Sequence, residues 1–308
     1  MDRSTRSILT RIVVDFLCVF IVGLCVLVFF LFGRPNQRGF FCNDESLYHP
    51  FRSSTVTSTN LYVTGMILPI CLMILGEYVH TRKSGDQSSR ILFGYSMPSW
   101  AWKAYTKIGI FGFGAATTVL FTDIAKYTIG RLRPHFMTVC VPNVDCNLLE
   151  NQHRYIEDFT CTSNFSTKLL KEVRLSFPSG HSSFSAYTML YVALYLQLRF
   201  TWEGSKLLKH VLQIICLLMA WFTAMSRVTD YKHHWSDVLA GSTLGVVVAV
   251  LMAYCVADLF RERSPLSPGD KLHSGDYEVE GGTQGESCPL RRCLHMYGDM
   301  SSRPPETT

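Results

Sequence analysis

The chain has 308 residues, of which 48% are hydrophobic and 17% charged, below the roughly 25% charge usual in soluble domains. One or two soluble domains would fit the length, but they would have to bury several long apolar blocks in one core, which argues against a soluble protein. The formal net charge is a modest +5, and no nucleic-acid partner is expected.

Residues 1–11 form a basic arm carrying Arg3, Arg6 and Arg11. Ile12–Phe32 follows, an apolar block with one charge, long enough to cross a hydrocarbon core of ~30 Å. A signal peptide is the alternative. Its apolar part, however, exceeds the usual core of ~7–15 residues, and no A-x-A-like cleavage site follows, so a retained anchor is expected. Five further blocks come next: about Leu61–Val79, Tyr105–Ala125, Phe184–Leu198, Val211–Ala224 and Val238–Phe260. Two are short and reach spanning length only with polar flanks such as Ser182, Ser183, His210 and Ser226. The expected fold is an all-α, polytopic membrane protein, with a six-span domain over 12–260 and a small extracellular cap loop.

Lys and Arg in short loops set orientation. The arm, the loop with Arg82, Lys83 and Arg90, the loop with Arg199, Lys206 and Lys209, and the tail start at Arg261 and Arg263 are basic. An even number of spans puts all four, and both termini, in the cytosol. The opposite face nevertheless carries Lys126, Arg131, Arg133 and His135. A basic cluster on the wrong side of the rule points to a site.

Cys42, Cys140, Cys146 and Cys161 fall in the expected non-cytosolic loops, where disulfides persist, with three pairings open. Asn164-Phe165-Ser166 is a glycosylation acceptor in the long loop 135–177, which reads as a small folded cap. Cys18, Cys25, Cys71, Cys216 and Cys255 lie within spans and read as small packing residues. Gly109, Gly112, Gly114 and the Gly241–Gly245 pair read as close helix contacts. The tail, 261–308, is rich in Gly, Ser, Pro and acidic residues and is expected to be disordered and cytosolic. Cys288 and Cys293 there flank two arginines, a weak palmitoylation pattern in an otherwise inert tail.

Three segments carry chemistry: 126–134, 178–181 and 226–237. If the third span continues as a helix, Lys126 and Arg133 share a face two turns apart and converge on one anion, with Pro134 ending the helix. A belt of snorkelling cations explains this segment as well. Pro178-Ser179-Gly180-His181 precedes the fourth span, where free backbone N–H groups make an anion site and Gly180 admits close approach. Simple serine capping is the bland alternative. In Ser226-Arg227…His233-His234-Trp235-Ser236-Asp237, a helix would let Asp237 reach His233, fix its tautomer and leave Nε2 as a nucleophile or base. His234 could reach the same carboxylate. The expected topology brings all three segments to one membrane face, which no separate bland reading requires.

K-x6-R-P, P-S-G-H and S-R-x5-H-x3-D, in this order, resemble the signature of the type 2 phosphatidic acid phosphatase superfamily. Lys126, Arg133, Pro134, Pro178, Ser179, Gly180, His181, Ser226, Arg227, His233 and Asp237 all match. The flanking runs Arg38–Ser46, Gly130–Phe136 and Ser236–Gly241 are similar to animal lipid phosphate phosphatases. The resemblance implies His233 as nucleophile, oriented by Asp237, with His181 as acid and then base. Lys126, Arg133, Ser179, Gly180 and Arg227 would bind phosphate, with no cofactor or metal.

The implied substrates are membrane lipid phosphates: phosphatidate, lysophosphatidate, ceramide 1-phosphate and sphingosine 1-phosphate. A plasma-membrane location with an extracellular site is expected, ER or Golgi being the alternative, and a homo-oligomer is compatible with the family. Three other readings compete. A phosphatase for a sugar phosphate or polyprenyl diphosphate fits the span count and flanks less well. An inactive lipid-binding or adhesion scaffold should have lost a histidine or a cation. A channel would place ionisable residues inside spans, where Asp15, Glu77, Lys107 and Asp123 are scattered.

Overall fold

Long runs of apolar residues with few helix breakers form the framework. The structure is a computed structural model describing residues 3–85, 89–200, 206–257 and 259. α1 (Arg3–Phe32) packs on α3 and leaves Phe16, Phe20, Leu24 and Leu31 exposed. A short strand β1 (Phe40–Phe41) leads to α2 (Ser58–Ser84), capped by Thr57 accepting from the Asn60 N–H at 3.2 Å and closed by Gly85 at φ 63°. The hairpin β2 (Ser89–Leu92) and β3 (Tyr95–Pro98) joins it to α3 (Ser99–Ile129). Then come α4 (Phe136–Cys140), α5 (Leu149–Gln152), β4 (Tyr155–Ile156), α6 (Thr167–Glu172), α7 (Gly180–Arg199), α8 (Lys206–Thr229) and α9 (Trp235–Leu251), the last running into a π turn, Met252–Val256.

Among the described residues five helices are long and apolar enough to cross a membrane: Thr5–Phe32, Ser58–Ser84, Ser99–Ile129, Leu207–Thr229 and Trp235–Val256. The expected fourth span coincides with α7, which is not among them. The reason lies in its position. α7 packs against α2, α3, α8 and α9, so it faces protein and can carry Ser182, Ser183, Ser185, Thr188 and three tyrosines, all buried. Two of the three tyrosine hydroxyls are satisfied inside: Tyr187 donates to the Phe111 carbonyl at 2.8 Å, and Tyr195 to the Met73 carbonyl at 3.2 Å, while the buried Tyr191 hydroxyl has no partner. These rings, with Phe111, Met73 and Ala249, form the main core.

Close packing of α9 on α7 depends on two glycines. A Cβ at Gly241 would meet the Ser179 carbonyl, and one at Gly245 the Ser183 carbonyl. Gly114 is similarly confined by Tyr187 and Met252, whereas Gly109 and Gly112 have nothing within 4 Å and so are not the helix contacts expected. Of the spanning cysteines only Cys216 is buried; Cys18, Cys25, Cys71 and Cys255 are exposed on helix faces rather than packed.

A second apolar core, with Phe40, Leu47, Leu132, Phe136, Val139, Ile156 and Val173, lies beyond the C-terminus of α3. It draws on the 33–57 segment as well as on loop 135–177, through antiparallel pairing of β1 with β4 and a Cys42–Cys146 disulfide. Cys140–Cys161 is the other bridge, so one of the three pairings open to the sequence is selected. Asn164 is exposed. The tail expected to be disordered (261–308), with Cys288 and Cys293, and Phe260 at the end of the expected sixth span lie outside the described residues.

Candidate active site

The three segments meet at one end of the helix bundle, and the backbone holds them together. The Ser176 N–H donates to the Arg131 carbonyl at 2.9 Å, Arg133 N–H to the Val173 carbonyl at 2.8 Å, and Ser179 N–H to the Asp237 carbonyl at 2.9 Å. Lys126, in the last turn of α3, places its Nζ 2.9 Å from where a Cβ on Gly180 would be. A side chain at this position would push the ammonium away from the start of α7. Lys126 thus lies over the N-terminus of α7, where backbone N–H groups and the helix dipole favour an anion.

Arg133 does not reach the site by continuation of α3. Gly130 takes φ 61° and its N–H donates to the Lys126 carbonyl at 3.0 Å, ending the helix at Ile129. A side chain there would also meet the Asn36 carbonyl. Pro134 therefore does not end the helix, and the shared helical face expected for Lys126 and Arg133 is not formed. Arg133 is positioned by its backbone bond to Val173, and its Nε is buried without a hydrogen-bond partner.

Ser179 is the N-cap of α7, its Oγ accepting from the Ser182 hydroxyl at 2.9 Å and more weakly from the Ser182 N–H at 3.4 Å. Its own hydroxyl proton remains available to an anion. His181, in the first turn, hydrogen-bonds the Val56 backbone, and its Nε2 is buried with no partner. Arg227, Lys126 and Arg133 face it with positive charge. Arg227 is buried and pairs with Asp230 at 3.0 Å, and Asp230 in turn accepts from the Thr55 N–H at 2.7 Å and hydroxyl at 2.8 Å.

His233 is 4% exposed. Its Nδ1 lies 2.7 Å from the Ser176 carbonyl, so Nδ1 carries the proton and Nε2 the lone pair. Burial foremost, then Arg133 and Lys126, holds its pKa well below the ordinary histidine range. The expected Asp237–His233 hydrogen bond is not made: the two are 3.9 Å apart. α9 begins only at Trp235, so His233 lies outside the helix on which an i, i+4 contact was expected. Asp237 instead accepts from the Ser176 hydroxyl at 2.6 Å, the His234 N–H at 3.0 Å and Arg131 Nη1 at 2.6 Å. Ser176 links it to His233.

His234, the N-cap of α9, has Nδ1 3.2 Å from Asp237, the position sequence geometry also allowed for His233. Arg131, which also donates to Ser236 at 2.8 Å, has a place in the site that the sequence had not assigned. Its one signal was membership of the basic cluster on the unexpected face. Among the described residues no group of three or more His, Cys, Asp or Glu is placed to hold a metal.

Chemically, the arrangement is a buried anion cradle with an available imidazole Nε2 on His233 and a second on His181. The PAP2 superfamily model matches residues 107–261. A Drosophila melanogaster protein named "Putative phosphatidate phosphatase" is 49% identical over 274 residues, 85% of this chain and 72% of that protein. Phospholipid phosphatase 1 of Rattus norvegicus is 42% identical over 255 residues, 82% of this chain and 87% of the relative. Phospholipid phosphatase 2 of Homo sapiens is 36% identical over 260 residues, 82% and 85% respectively. No solved structure matches the chain. With this cradle assembled from segments inside the matched region, and with such identity over most of its length, the chain belongs to the PAP2 superfamily.

Proposed function

We propose that this protein is an integral-membrane phosphatase that removes phosphate from lipid phosphates through a phosphohistidine. The observation that carries the reading is the burial of His233 beside Lys126 and Arg133, with Nδ1 engaged by the Ser176 carbonyl and Nε2 left to react. His233 Nε2 forms a bond to phosphorus as the P–O bond to the lipid breaks. His181 gives its proton to the departing alkoxide, then accepts one from the water that cleaves the N–P bond and releases phosphate. Lys126, Arg133, Arg227, Ser179 and the Gly180 N–H hold the phosphoryl oxygens as charge moves. The cations supply the electrostatic stabilisation, so the reaction is independent of Mg²⁺.

His181 acts as the acid in its protonated form, which a bound phosphate dianion beside it favours. Burial within the membrane end of the bundle favours a substrate already concentrated in the bilayer, each buried CH₂ contributing about 0.8 kcal/mol. Recognition is then of the headgroup, and phosphatidate, lysophosphatidate, sphingosine 1-phosphate and ceramide 1-phosphate all qualify.

We assign six spans, with α7 as the fourth, and divide the chain into a cytosolic arm (1–11), a membrane domain (12–260) and a cytosolic tail (261–308). This puts the site and both disulfides on the outer or lumenal face, an extracellular site at the plasma membrane being the first choice. The assay is phosphate release from lipid phosphates added outside intact cells, without Mg²⁺, for wild type and His233→Ala. Equal rates would overturn the proposal.

A further inference from the structure

Lys232, the residue before His233, is 7% exposed. Its backbone N–H donates to the Arg227 carbonyl at 3.0 Å, as does that of His233 at 3.2 Å, so the two side chains leave one tight turn. Tyr231, at φ 53°, makes that turn, and its carbonyl lies 2.7 Å from His135 Nδ1. The Lys232 ammonium sits 3.9 Å over the ring of Phe51, whose edge in turn meets His135 at 5.3 Å between ring centroids.

Among the described residues no carboxylate lies within 4.0 Å of this ammonium, and it makes no hydrogen bond. The acids that act on it from a distance are Asp230, committed to Arg227 and Thr55, and Glu172 of α6. Arg133 and Arg227 face it as like charges, and His135, buried and with Nε2 unpartnered, is beside it. A buried ammonium held among cations is costly unless an anion arrives. An aromatic face returns part of that cost, but it leaves the N–H donors unused.

We propose that Lys232 is a fourth phosphate-binding cation, held against Phe51 so that its ammonium takes a phosphoryl oxygen of the bound headgroup. The ligand chemistry is a phosphate oxygen, carried by the lipid before the reaction and by free phosphate after it. The proposal rests on the phosphatase reading above and extends it to Lys232, a position that the third motif spans but leaves unspecified. Burial, then Arg133 and Arg227, lowers the Lys232 pKa to about 8, with Asp230 and Glu172 opposing. The ammonium of the free enzyme is therefore lost as pH rises through about 8, and kcat/KM falls with it.

The test uses the full chain in detergent, with Lys232→Gln and Lys232→Arg. It reads kcat and KM for a lipid phosphate from pH 6.5 to 9.5, and binding of inorganic phosphate by calorimetry. Lys232→Gln is expected to raise KM roughly tenfold to a hundredfold, to leave kcat within a few-fold and to weaken phosphate binding similarly. Lys232→Arg restores KM and removes the fall near pH 8, because guanidinium keeps its proton. Weakening toward the lipid alone assigns the contact to substrate, and weakening toward both assigns it to the shared phosphate.

Unchanged KM in Lys232→Gln, or equal losses of kcat in both variants with KM intact, would overturn the proposal. If Lys232→Gln does not fold, an alkaline fall persisting in Lys232→Arg overturns it equally. Wild type releasing no phosphate from lipids would refute the phosphatase reading instead, and calorimetry with inorganic phosphate would still decide the role of Lys232.

Discussion

The Ser176 hydroxyl donates to Asp237 at 2.6 Å, while the carbonyl of the same serine holds His233 Nδ1 at 2.7 Å. Asp237, fully buried and also bound by Arg131, is therefore linked to the His233 imidazole through Ser176.

Replacing the two residues should separate these roles. Ser176→Ala keeps the carbonyl and loses one hydrogen bond, so kcat should fall by about tenfold or less. Asp237→Ala releases Ser176, the α9 N-terminus and Arg131 together, and kcat should fall by at least about a hundredfold. Steady-state rates on one lipid phosphate in detergent check the ranking.

His233→Ala should abolish turnover and any acid-labile phosphoenzyme trapped by rapid quench. His234→Ala should retain substantial turnover, because His234 caps α9 and its ring contacts Asp237 rather than the cation cradle. Labelling that persists in His233→Ala and vanishes in His234→Ala would reverse the assignment.

The buried histidines make stability depend on pH in a defined direction. His135, fully buried, has its pKa lowered to about 4, mainly by burial, and His233 lies below the ordinary range for the same reason. Unfolded histidine titrates near ~6.5, so below that pH the unfolded chain binds protons that the folded chain refuses. Their contribution is full above ~6.5 and is lost as pH falls, toward about 4 for His135. Thermal unfolding in detergent should show a lower Tm at pH 5.5 than at pH 7.5, and His135→Gln should flatten part of that difference.

Cys42–Cys146 closes a 104-residue separation and joins the 33–57 segment to loop 135–177. Its removal by Cys42→Ser with Cys146→Ser should lower stability by about 2–4 kcal/mol. The loss should be felt first in the apolar core around Phe40 and Phe136, read as faster proteolysis of that region under mild conditions.

Much of the molecule was legible from residue order alone. Apolar blocks long enough for a bilayer dictate helices wherever they occur, and five of the six satisfy that test in the structure. α7 was harder to read because a helix surrounded by other helices needs no apolar exterior. Its serines, Tyr187 and Tyr195 bond inside the bundle, and hydropathy reports lipid contact, not burial in protein. The three chemical segments were legible because cations, a glycine and histidines stand at fixed spacings within each.

What the sequence determined, then, was the inventory: which residues carry charge, which can react, and which blocks must be helical, since these follow from side-chain chemistry and local periodicity. Tertiary structure decided who holds whom. Gly130 in a left-handed turn sends Arg133 to the site by a loop. The α9 start at Trp235 hands Asp237 to Ser176 and His234, and the turn at Tyr231 sets the Lys232 ammonium over Phe51. Such partnerships link residues far apart along the chain, here 61 positions between Ser176 and Asp237, and spacing within a motif holds no information about them.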